Sequence, residues 1–219
     1  MKALLLGSIG TLSDTSELQR RAFNEAFRKH DLPWEWDRDT YRGMLTQAGG
    51  KDRIQRQADA DGVEVDAEAV HQTKSDLFQS YLDDGKATSR PGIVDLITKA
   101  RAAEIPVGLV TTTSPGNVAA ILRAVGLTSG DFDLVLSRSD VSAPKPAPDC
   151  YHLASAMLAV APEDCVAVED NPDGAKAALA AGCTCLAWPN ENTAGQDFGS
   201  AEMVDDPLER VLPDTVAAE

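Results

Sequence analysis

The second half of the chain alternates short apolar runs with amphipathic stretches, and this alternation constrains the fold more than any other feature. Helical patterns at 93–103, 118–125, 151–160 and 175–181 are interleaved with strand patterns at 107–110, 134–136, 165–168 and 184–188. Repeated strand and helix alternation builds right-handed βαβ units around a parallel sheet. We therefore predict an α/β fold, with a Rossmann-like parallel sheet and helices on both of its faces.

The first 85 residues follow a different pattern. Residues 3–6 form a continuous apolar run that ends at Gly7, which is typical of a strand buried on both faces of a sheet. From 15 to 84 the apolar residues recur at helical spacing, and no strand pattern interrupts them. Two sets show this spacing: Leu18, Ala22, Phe23 and Phe27, and then Val70, Leu77 and Tyr81. The sequence thus predicts an all-helical insertion at 15–85, and a core domain formed by 1–14 and 86–219.

Charge and cysteine content limit the partners and the compartment. The formal net charge is -15, so negatively charged nucleic acids and anionic membranes would be repelled. No apolar stretch reaches the ~18 residues of a membrane span, and the apolar run at 3–6 is too short for a signal peptide. The four cysteines form no C-x-x-C pair, which favours buried, reduced thiols over a disulfide or a zinc site. We expect a cytoplasmic protein without nucleic-acid or membrane partners.

Polar residues follow four of the predicted strands. In open parallel sheets, ligands bind beyond the carboxyl ends of the strands. The candidates at these ends are Thr111, Thr112, Lys145, Glu169, Asp170 and Asp173. Each has a simpler interpretation, because Thr111 could cap a helix, Lys145 could be a surface lysine, and Glu169 with Asp170 could complement a helix dipole. Their joint position at consecutive strand ends favours an inherited binding site.

Several ordered segments resemble one known group of enzymes. SELQRRAFNEAF, WEWDRDTYRGML, GGKDRI, RPGIVDLI, VTTTSPGNV, KPAPDCY and VEDNPDGAKAALAAG occur in this order along nearly the whole chain. They resemble the haloacid dehalogenase superfamily, in particular its xylulose-bisphosphate phosphatase branch, close to the β-phosphoglucomutase group. The resemblance implies a phosphoric-monoester hydrolase in which the helical insertion is a cap over the active site.

The first motif of that family, D-x-D-G-T-L, is altered here. Residues 7–12 read G-S-I-G-T-L, and the retained Gly-Thr-Leu fixes the register. Gly7 therefore stands where the family has its nucleophilic aspartate, and Ile9 where it has the general acid/base. Glycine has no group that can attack phosphorus. Isoleucine cannot transfer the proton that is usually worth ~10²- to 10⁴-fold in rate. The resemblance thus predicts that no catalytic pair is intact.

The remaining family motifs are present. By resemblance, Thr111, Thr112 and Lys145 would bind phosphate, while Asp170 and Glu169 would be metal ligands with Asp173 as an outer partner. The family's Mg²⁺ is also held by the nucleophilic carboxylate, which is missing. Because Mg²⁺ requires near-octahedral oxygen ligands, we expect a weak or vacant metal site.

The predicted cap carries a second set of candidates. By resemblance, the loop around GGKDR would contact the distal part of a sugar phosphate. The candidate contacts are Tyr41, Arg42, Gly49, Gly50, Lys51 and Arg53. The alternative is a helix start at which the glycines only turn the chain, and the sequence leaves both open. Ser16 and Gln19 stand where close relatives carry glutamate and histidine.

No nearby residue is expected to replace the lost aspartates. The Ser8 side chain should face away from the phosphate in an extended segment, and Asp14 is better placed to cap a helix. The three histidines, His30, His71 and His152, fall in helical segments away from the strand ends.

Three functional hypotheses follow. The first is an inactive or strongly impaired phosphatase that still binds a phosphorylated small molecule or inorganic phosphate. The second is an active Mg²⁺-dependent sugar-phosphate hydrolase with a non-standard nucleophile, and the third is a structural or regulatory protein-interaction module. Whether the chain is an enzyme is left open. In the third case the pocket is more apolar, so Lys145 needs a partner, and we predict an ion pair with Glu169 or Asp170.

Overall fold

One parallel sheet organises the structure. The computed structural model describes residues 1–7, 9–45 and 49–212. The sheet has the strand order β3-β2-β1-β4-β5-β6, and every neighbouring pair is parallel. Its strands are β1 (Ala3–Leu6), β2 (Val107–Val110), β3 (Leu134–Leu136), β4 (Cys165–Glu169), β5 (Thr184–Ala187) and β6 (Glu202–Met203).

The α-helices fall into two groups. The first group lies between β1 and residue 85, and the second group begins with one helix before β2 and continues with helices after β2. The first group is α1 (Ser16–Lys29), α2 (Arg38–Met44), α3 (Gly50–Asp61) and α4 (Ala67–Asp83). The second group is α5 (Ile93–Ala102), α6 (Pro115–Ala124), α7 (Asp149–Leu158), α8 (Pro172–Ala180) and α9 (Pro207–Val211).

β1 is a central strand that is covered on both faces. Leu4 is paired with Val107 on one side and with Val166 on the other, and all four residues of β1 are fully buried. Leu4 belongs to the apolar cluster on one face of the sheet, and Leu5 to the cluster on the other face. Burial on both faces explains why the strand is a continuous apolar run. The predicted fold class is confirmed.

Two elements at the end of the chain were not predicted. β6 has only two residues, both exposed, and α9 has five, so neither is long enough to show a periodic pattern. α6 and α8 also begin three residues earlier than the pattern suggested. Proline occupies the first turn of both, and Ser114 and Asn171 cap them. Proline fits the first helical position because no intrahelical bond needs its missing N–H.

Helices α1 to α4 and the loops between them have an aromatic core of their own. Phe27 packs edge-on against Trp36 at 4.7 Å between ring centroids, and Phe23 lies 4.9 Å from the same indole. These rings belong to a cluster that is separate from the two clusters on the sheet. A separate core supports the proposed division at 15 and 85, which stays a prediction.

The buried face of α4 differs from the predicted one. Its buried positions include Val70, Lys74, Phe78 and Leu82, whereas Leu77 and Tyr81 are only partly buried. Val70 belongs to both faces, and Leu77 and Tyr81 still pack against the apolar clusters, so the buried face is only rotated toward Lys74, Phe78 and Leu82.

The cysteine prediction is confirmed, since all four are free and buried. Among the described residues, none of the helices combines the length and the apolar character that crossing a bilayer requires.

Candidate functional site

A cavity of about 530 Å³ lies between the carboxyl ends of the strands and the helices inserted after β1. Gly7, Thr111 and Glu169 line its floor at the ends of β1, β2 and β4. Helices α1, α3 and α4 supply the opposite wall, through residues such as Gln19 and Arg53. The cavity therefore joins most of the residues predicted from strand ends with those predicted from the insertion.

Lys145 is buried at the floor of the cavity and forms an ion pair with Glu169. Its ammonium donates to Glu169 Oε1 and, at 2.8 Å, to the carbonyl oxygen of Val110. The Tyr151 hydroxyl donates to the same Glu169 oxygen. Burial by itself lowers the pKa of Lys145, but the Glu169 carboxylate outweighs it, and the pKa is raised. The predicted ion pair is confirmed, and the interpretation of Lys145 as a surface lysine is wrong.

Two glycines leave room for the Glu169 carboxylate. A Cβ at position 174 would lie 2.1 Å from Glu169 Oε2, which is an impossible approach. A Cβ at position 7 would lie 3.1 Å from the same oxygen and 2.7 Å from Thr11 Oγ1. The Glu169 carboxylate thus reaches close to the place that a side chain of residue 7 would occupy.

Asp170 lies beside Glu169 in a buried, polar surrounding. The Thr11 hydroxyl donates to Asp170 Oδ1 at 3.1 Å, and the Asn190 amide donates to Oδ2 at 3.4 Å. Gly10 packs directly on this carboxyl, since a Cβ at position 10 would lie 1.8 Å from Asp170 Oδ2. Burial, and then the charge of Glu169, raise the pKa of Asp170 to about 7. Near neutral pH this carboxyl is therefore only partly ionised.

Thr111 ends β2 and is buried at the cavity. Its hydroxyl oxygen accepts a hydrogen bond from the Thr113 N–H at 3.2 Å. The cap of α6 is Ser114, which accepts from the Asn117 N–H at 3.3 Å, so the helix-cap interpretation of Thr111 is wrong. Thr112 also lines the cavity. The phosphate-binding role of both threonines stays a prediction.

Both residues of the altered first motif line the cavity. The Gly7 N–H donates to the carbonyl oxygen of Val168 at 3.1 Å, so residue 7 continues the line of β1. Ile9 is partly buried against the apolar cluster on one face of the sheet. Ser8 lies outside the described residues, and its expected direction stays a prediction. Asp14 accepts from the Ser16 N–H at 3.2 Å at the start of α1, as expected.

Most of the predicted cap residues also face the cavity. Tyr41, Gly49, Gly50, Lys51 and Arg53 line it, whereas Arg42 and Asp173 are not among the lining residues. The buried Arg53 guanidinium donates to the Met44 carbonyl oxygen at 3.2 Å and lies 5.5 Å from the centre of the Tyr41 ring. The exposed Lys51 pairs with Glu68 at 2.8 Å. The structure brings these residues together, and their role as substrate contacts stays a prediction.

Two further cavity residues come from α4 and were not predicted. Lys74 is 4% exposed, and its ammonium donates to Gln19 Oε1. His71 lies one turn earlier in α4 and also lines the cavity, on the wall opposite to the strand ends. The spacing of the buried positions Val70, Lys74 and Phe78 was the available signal.

The carboxylates present do not fit a tightly held Mg²⁺ ion. Among residues 1–7, 9–45 and 49–212, no three acidic, histidine or cysteine side chains are grouped in a way that could hold a metal. Glu169 is already paired with Lys145, and Asp170 accepts hydrogen bonds from Thr11 and Asn190. Because Mg²⁺ prefers several oxygen ligands in octahedral geometry, this set is insufficient.

The chain has close relatives among known proteins. It is 39% identical over 209 residues to Protein CbbY of Cereibacter sphaeroides, with 93% of this chain and 91% of that protein covered. The crystal structure of a CbbY variant from Rhodobacter sphaeroides, in complex with xylulose-(1,5)bisphosphate, superposes with a TM-score of 0.87 at 38% identity. The structure of CbbY in complex with phosphate gives 0.86, and each comparison covers 94% of both chains.

A family model confirms the assignment that these relatives suggest. The model for haloacid dehalogenase-like hydrolases matches residues 1–182, which include β1, the four inserted helices and β4. The chain belongs to the haloacid dehalogenase-like hydrolases.

Proposed function

We propose that this protein binds a phosphorylated small molecule or inorganic phosphate in the cavity and has lost the aspartyl-phosphate chemistry of its family. The observation that carries the proposal is the pair Gly7 and Ile9 at the end of β1, which both line the cavity. The first has no side chain and the second is a hydrocarbon. Covalent phosphoryl transfer needs a nucleophilic side chain, and proton transfer needs a titratable one.

The phosphate-binding half of the site supports the ligand class. Thr111 offers a hydroxyl at the end of β2, and Lys145 supplies a positive charge at the floor of the cavity. Arg53 adds positive charge from the opposite wall. The solved structures of CbbY hold phosphate and xylulose bisphosphate, which are ligands of the same class. A local basic lining lets an anion enter despite the net charge of -15.

Binding and turnover have to be measured separately. The first measurement is titration calorimetry with inorganic phosphate and xylulose 1,5-bisphosphate, on the unmodified protein and on Lys145→Ala. The second is a phosphate-release assay with Mg²⁺ and a panel of sugar phosphates. We expect binding that weakens in Lys145→Ala, and no turnover. A phosphate-release rate that Lys145→Ala abolishes would contradict the proposal.

The second candidate is an active hydrolase with a non-standard nucleophile or an activated water. One observation favours it: Glu169 Oε2 lies 3.1 Å from the position of a Cβ at residue 7, so one carboxylate approaches the site of the lost nucleophile. The ion pair with Lys145 holds that carboxylate in place. This candidate predicts Mg²⁺-dependent turnover that is lost in Asp170→Asn, while the first candidate predicts that neither protein turns substrate over.

The third candidate is a structural or regulatory role through protein contacts. In that case the contacts among Lys145, Glu169 and Tyr151 stabilise the fold and require no ligand. It predicts no phosphate binding in the calorimetric experiment. For all three candidates we propose a cytoplasmic location and neither nucleic-acid nor membrane partners, because the charge of -15 disfavours both.

A further inference from the structure

Lys74 is a buried amine at the wall of the cavity. It lies in the middle of α4, and its ammonium nitrogen is 4.7 Å from the centre of the Phe23 ring and 5.1 Å from that of Phe78. Its hydrogen-bond acceptor is the neutral amide oxygen of Gln19 in α1. Within the described part of the chain, no carboxylate forms an ion pair with it. An ammonium ion removed from water without an opposite charge is strongly disfavoured.

The charged groups around Lys74 have the same sign. Arg53 of α3 lies on the same wall of the cavity as Lys74. His71 is the histidine that faces Lys74 from the same helix, α4. Burial, and then the charge of Arg53, lower the pKa of Lys74 to about 7. Burial lowers the pKa of His71 to about 4, so its ring is neutral at physiological pH. From α1 and α6 the cavity wall presents the neutral residues Gln19 and Asn117.

Lys145 offers a contrast inside the same cavity. It is also buried, but its ion pair with Glu169 raises its pKa and keeps it protonated. An amine in an apolar site next to another cation is the usual way in which proteins activate lysine as a nucleophile. Of these two buried lysines, only Lys74 therefore has an available lone pair near neutral pH.

We propose that Lys74 is a covalent binding site that forms an imine with the aldehyde or ketone group of a small molecule in the cavity. The proposal rests on the position of its nitrogen near two phenyl rings, at a cavity of about 530 Å³, with no carboxylate paired to it among the residues that the structure describes. Cavities of ~300–1,000 Å³ are the usual size for small-molecule sites.

The chemistry balances without an oxidant or a reductant. The lone pair of the neutral Lys74 nitrogen attacks the carbonyl carbon, and the carbonyl π electrons become a lone pair on oxygen. A proton passes from nitrogen to that oxygen and gives a carbinolamine. The hydroxyl then leaves as water with a second proton from nitrogen, and a C=N bond remains.

The phosphorylated carbonyl compound is the expected form of the ligand, and this part of the inference rests on the proposed function. Lys145 and Thr111 at the strand ends would hold the phosphate, while Lys74 on the opposite wall meets the carbonyl group. A carbonyl compound without phosphate should react with Lys74 more weakly, because it lacks the contacts at the floor.

The test is trapping with sodium borohydride, which reduces an imine to a stable secondary amine. The unmodified protein is incubated with pyridoxal 5′-phosphate or with pyridoxal, then reduced, digested and mapped by mass spectrometry. We expect the label on the peptide that contains Lys74, at close to one per protein, with several-fold lower labelling by pyridoxal. Labelling should rise with pH and reach half of its maximum near pH 7.

The controls separate a specific site from general lysine chemistry. Lys74→Arg keeps a positive charge and cannot form an imine, so its site-specific label should disappear. Lys2→Arg alters an exposed lysine just before β1, which does not line the cavity, and should leave labelling of Lys74 unchanged. Label spread over exposed lysines with none at Lys74 would overturn the inference, and peptide mapping of the unmodified protein gives this result even if Lys74→Arg fails to fold.

The proposed phosphate site can be tested separately from the reaction of Lys74. Inorganic phosphate should reduce labelling by pyridoxal 5′-phosphate but not by pyridoxal. If Lys74 reacts equally with both probes and phosphate has no effect, the amine site stands and the proposed phosphate site is contradicted.

Discussion

The Lys145 ammonium and the Glu169 carboxylate form a fully buried ion pair at the floor of the cavity, 8% and 1% exposed at their side chains. The carboxylate also accepts from the Tyr151 hydroxyl. Glu169 therefore supplies the negative charge that the buried Lys145 requires.

Removal of either partner should be costly. We expect Lys145→Met or Glu169→Gln to lower the free energy of unfolding by about 3–5 kcal/mol, because each leaves a buried group without its partner. The double variant should be more stable than the sum of the two losses implies, by about 2 kcal/mol in a double-mutant cycle. Urea denaturation followed by circular dichroism measures both values.

The exposed ion pair between Lys51 and Glu68, at 2.8 Å, is the matched control. Lys51→Met should produce no measurable change in stability. Equal losses at the two pairs would contradict the claim that burial sets the cost.

Restoring the family's first motif should restore chemistry. We expect Gly7→Asp with Ile9→Asp to release phosphate from sugar phosphates in the presence of Mg²⁺. The second change should contribute ~10²- to 10⁴-fold over Gly7→Asp alone. A Cβ at position 7 would lie 2.7 Å from Thr11 Oγ1 and 3.1 Å from Glu169 Oε2, so the Thr11 side chain has to shift and the Glu169 carboxylate has to move by a few tenths of an ångström. Steady-state phosphate release measures the rate.

Gly7→Asn with Ile9→Asp is the control, since asparagine has nearly the same size and cannot form an aspartyl phosphate. Equal rates in the unmodified protein and in the restored variant would show that the loss at 7 and 9 is not what limits catalysis.

Lys74 should make stability depend on pH. Its pKa is about 7 in the folded protein and 10.5 in the unfolded chain, so between these values the unfolded state binds the additional proton. Stability therefore rises with pH across this window, by at most about 1.4 kcal/mol per pH unit from this group. Lys74→Met should remove that rise and be more stable than the unmodified protein at pH 7. Urea midpoints at pH 6 to 10 test this.

Lys51→Met is the control, because it keeps Lys74 and should leave the rise of stability with pH unchanged. A slope that is unchanged in Lys74→Met would mean that Lys74 carries its ordinary charge in the folded state.

Gly10 should be the least replaceable glycine of the site. Its φ is +84°, and a Cβ there would overlap Asp170 Oδ2. Gly10→Ala should cost about 1–2 kcal/mol for the backbone and a further ~1–3 kcal/mol for the displaced hydrogen bonds of Asp170. Gly62→Ala is the control, because its φ is +66° but no atom lies within 4 Å. Thermal unfolding should show the larger loss for Gly10→Ala, and equal losses would contradict the role of Asp170.

Local patterns in the sequence determined the fold class and the residues that occupy positions 7 and 9 of the first motif. The apolar run of β1 and the alternation after it predicted the parallel sheet, because strand and helix periodicity is a property of neighbouring residues. The retained Gly-Thr-Leu aligned Gly7 and Ile9 with the two aspartates of the family's first motif, again from neighbouring residues alone. The pairing of Lys145 with Glu169 followed from a general rule, namely that a buried charge needs a partner.

Only the tertiary structure decided which distant side chains face the cavity. Lys74 and His71 lie on a helix far along the chain from the strand ends, and packing of α4 against α1 brings them to the opposite wall. Asn190, from the loop after β5, reaches Asp170 in the same way. Such contacts depend on how whole elements pack, and a side chain's burial, charge state and reactivity depend on its neighbours in space. The spacing of Val70, Lys74 and Phe78 could place a lysine on the inner face of α4, but only the packed structure shows which side chains surround it.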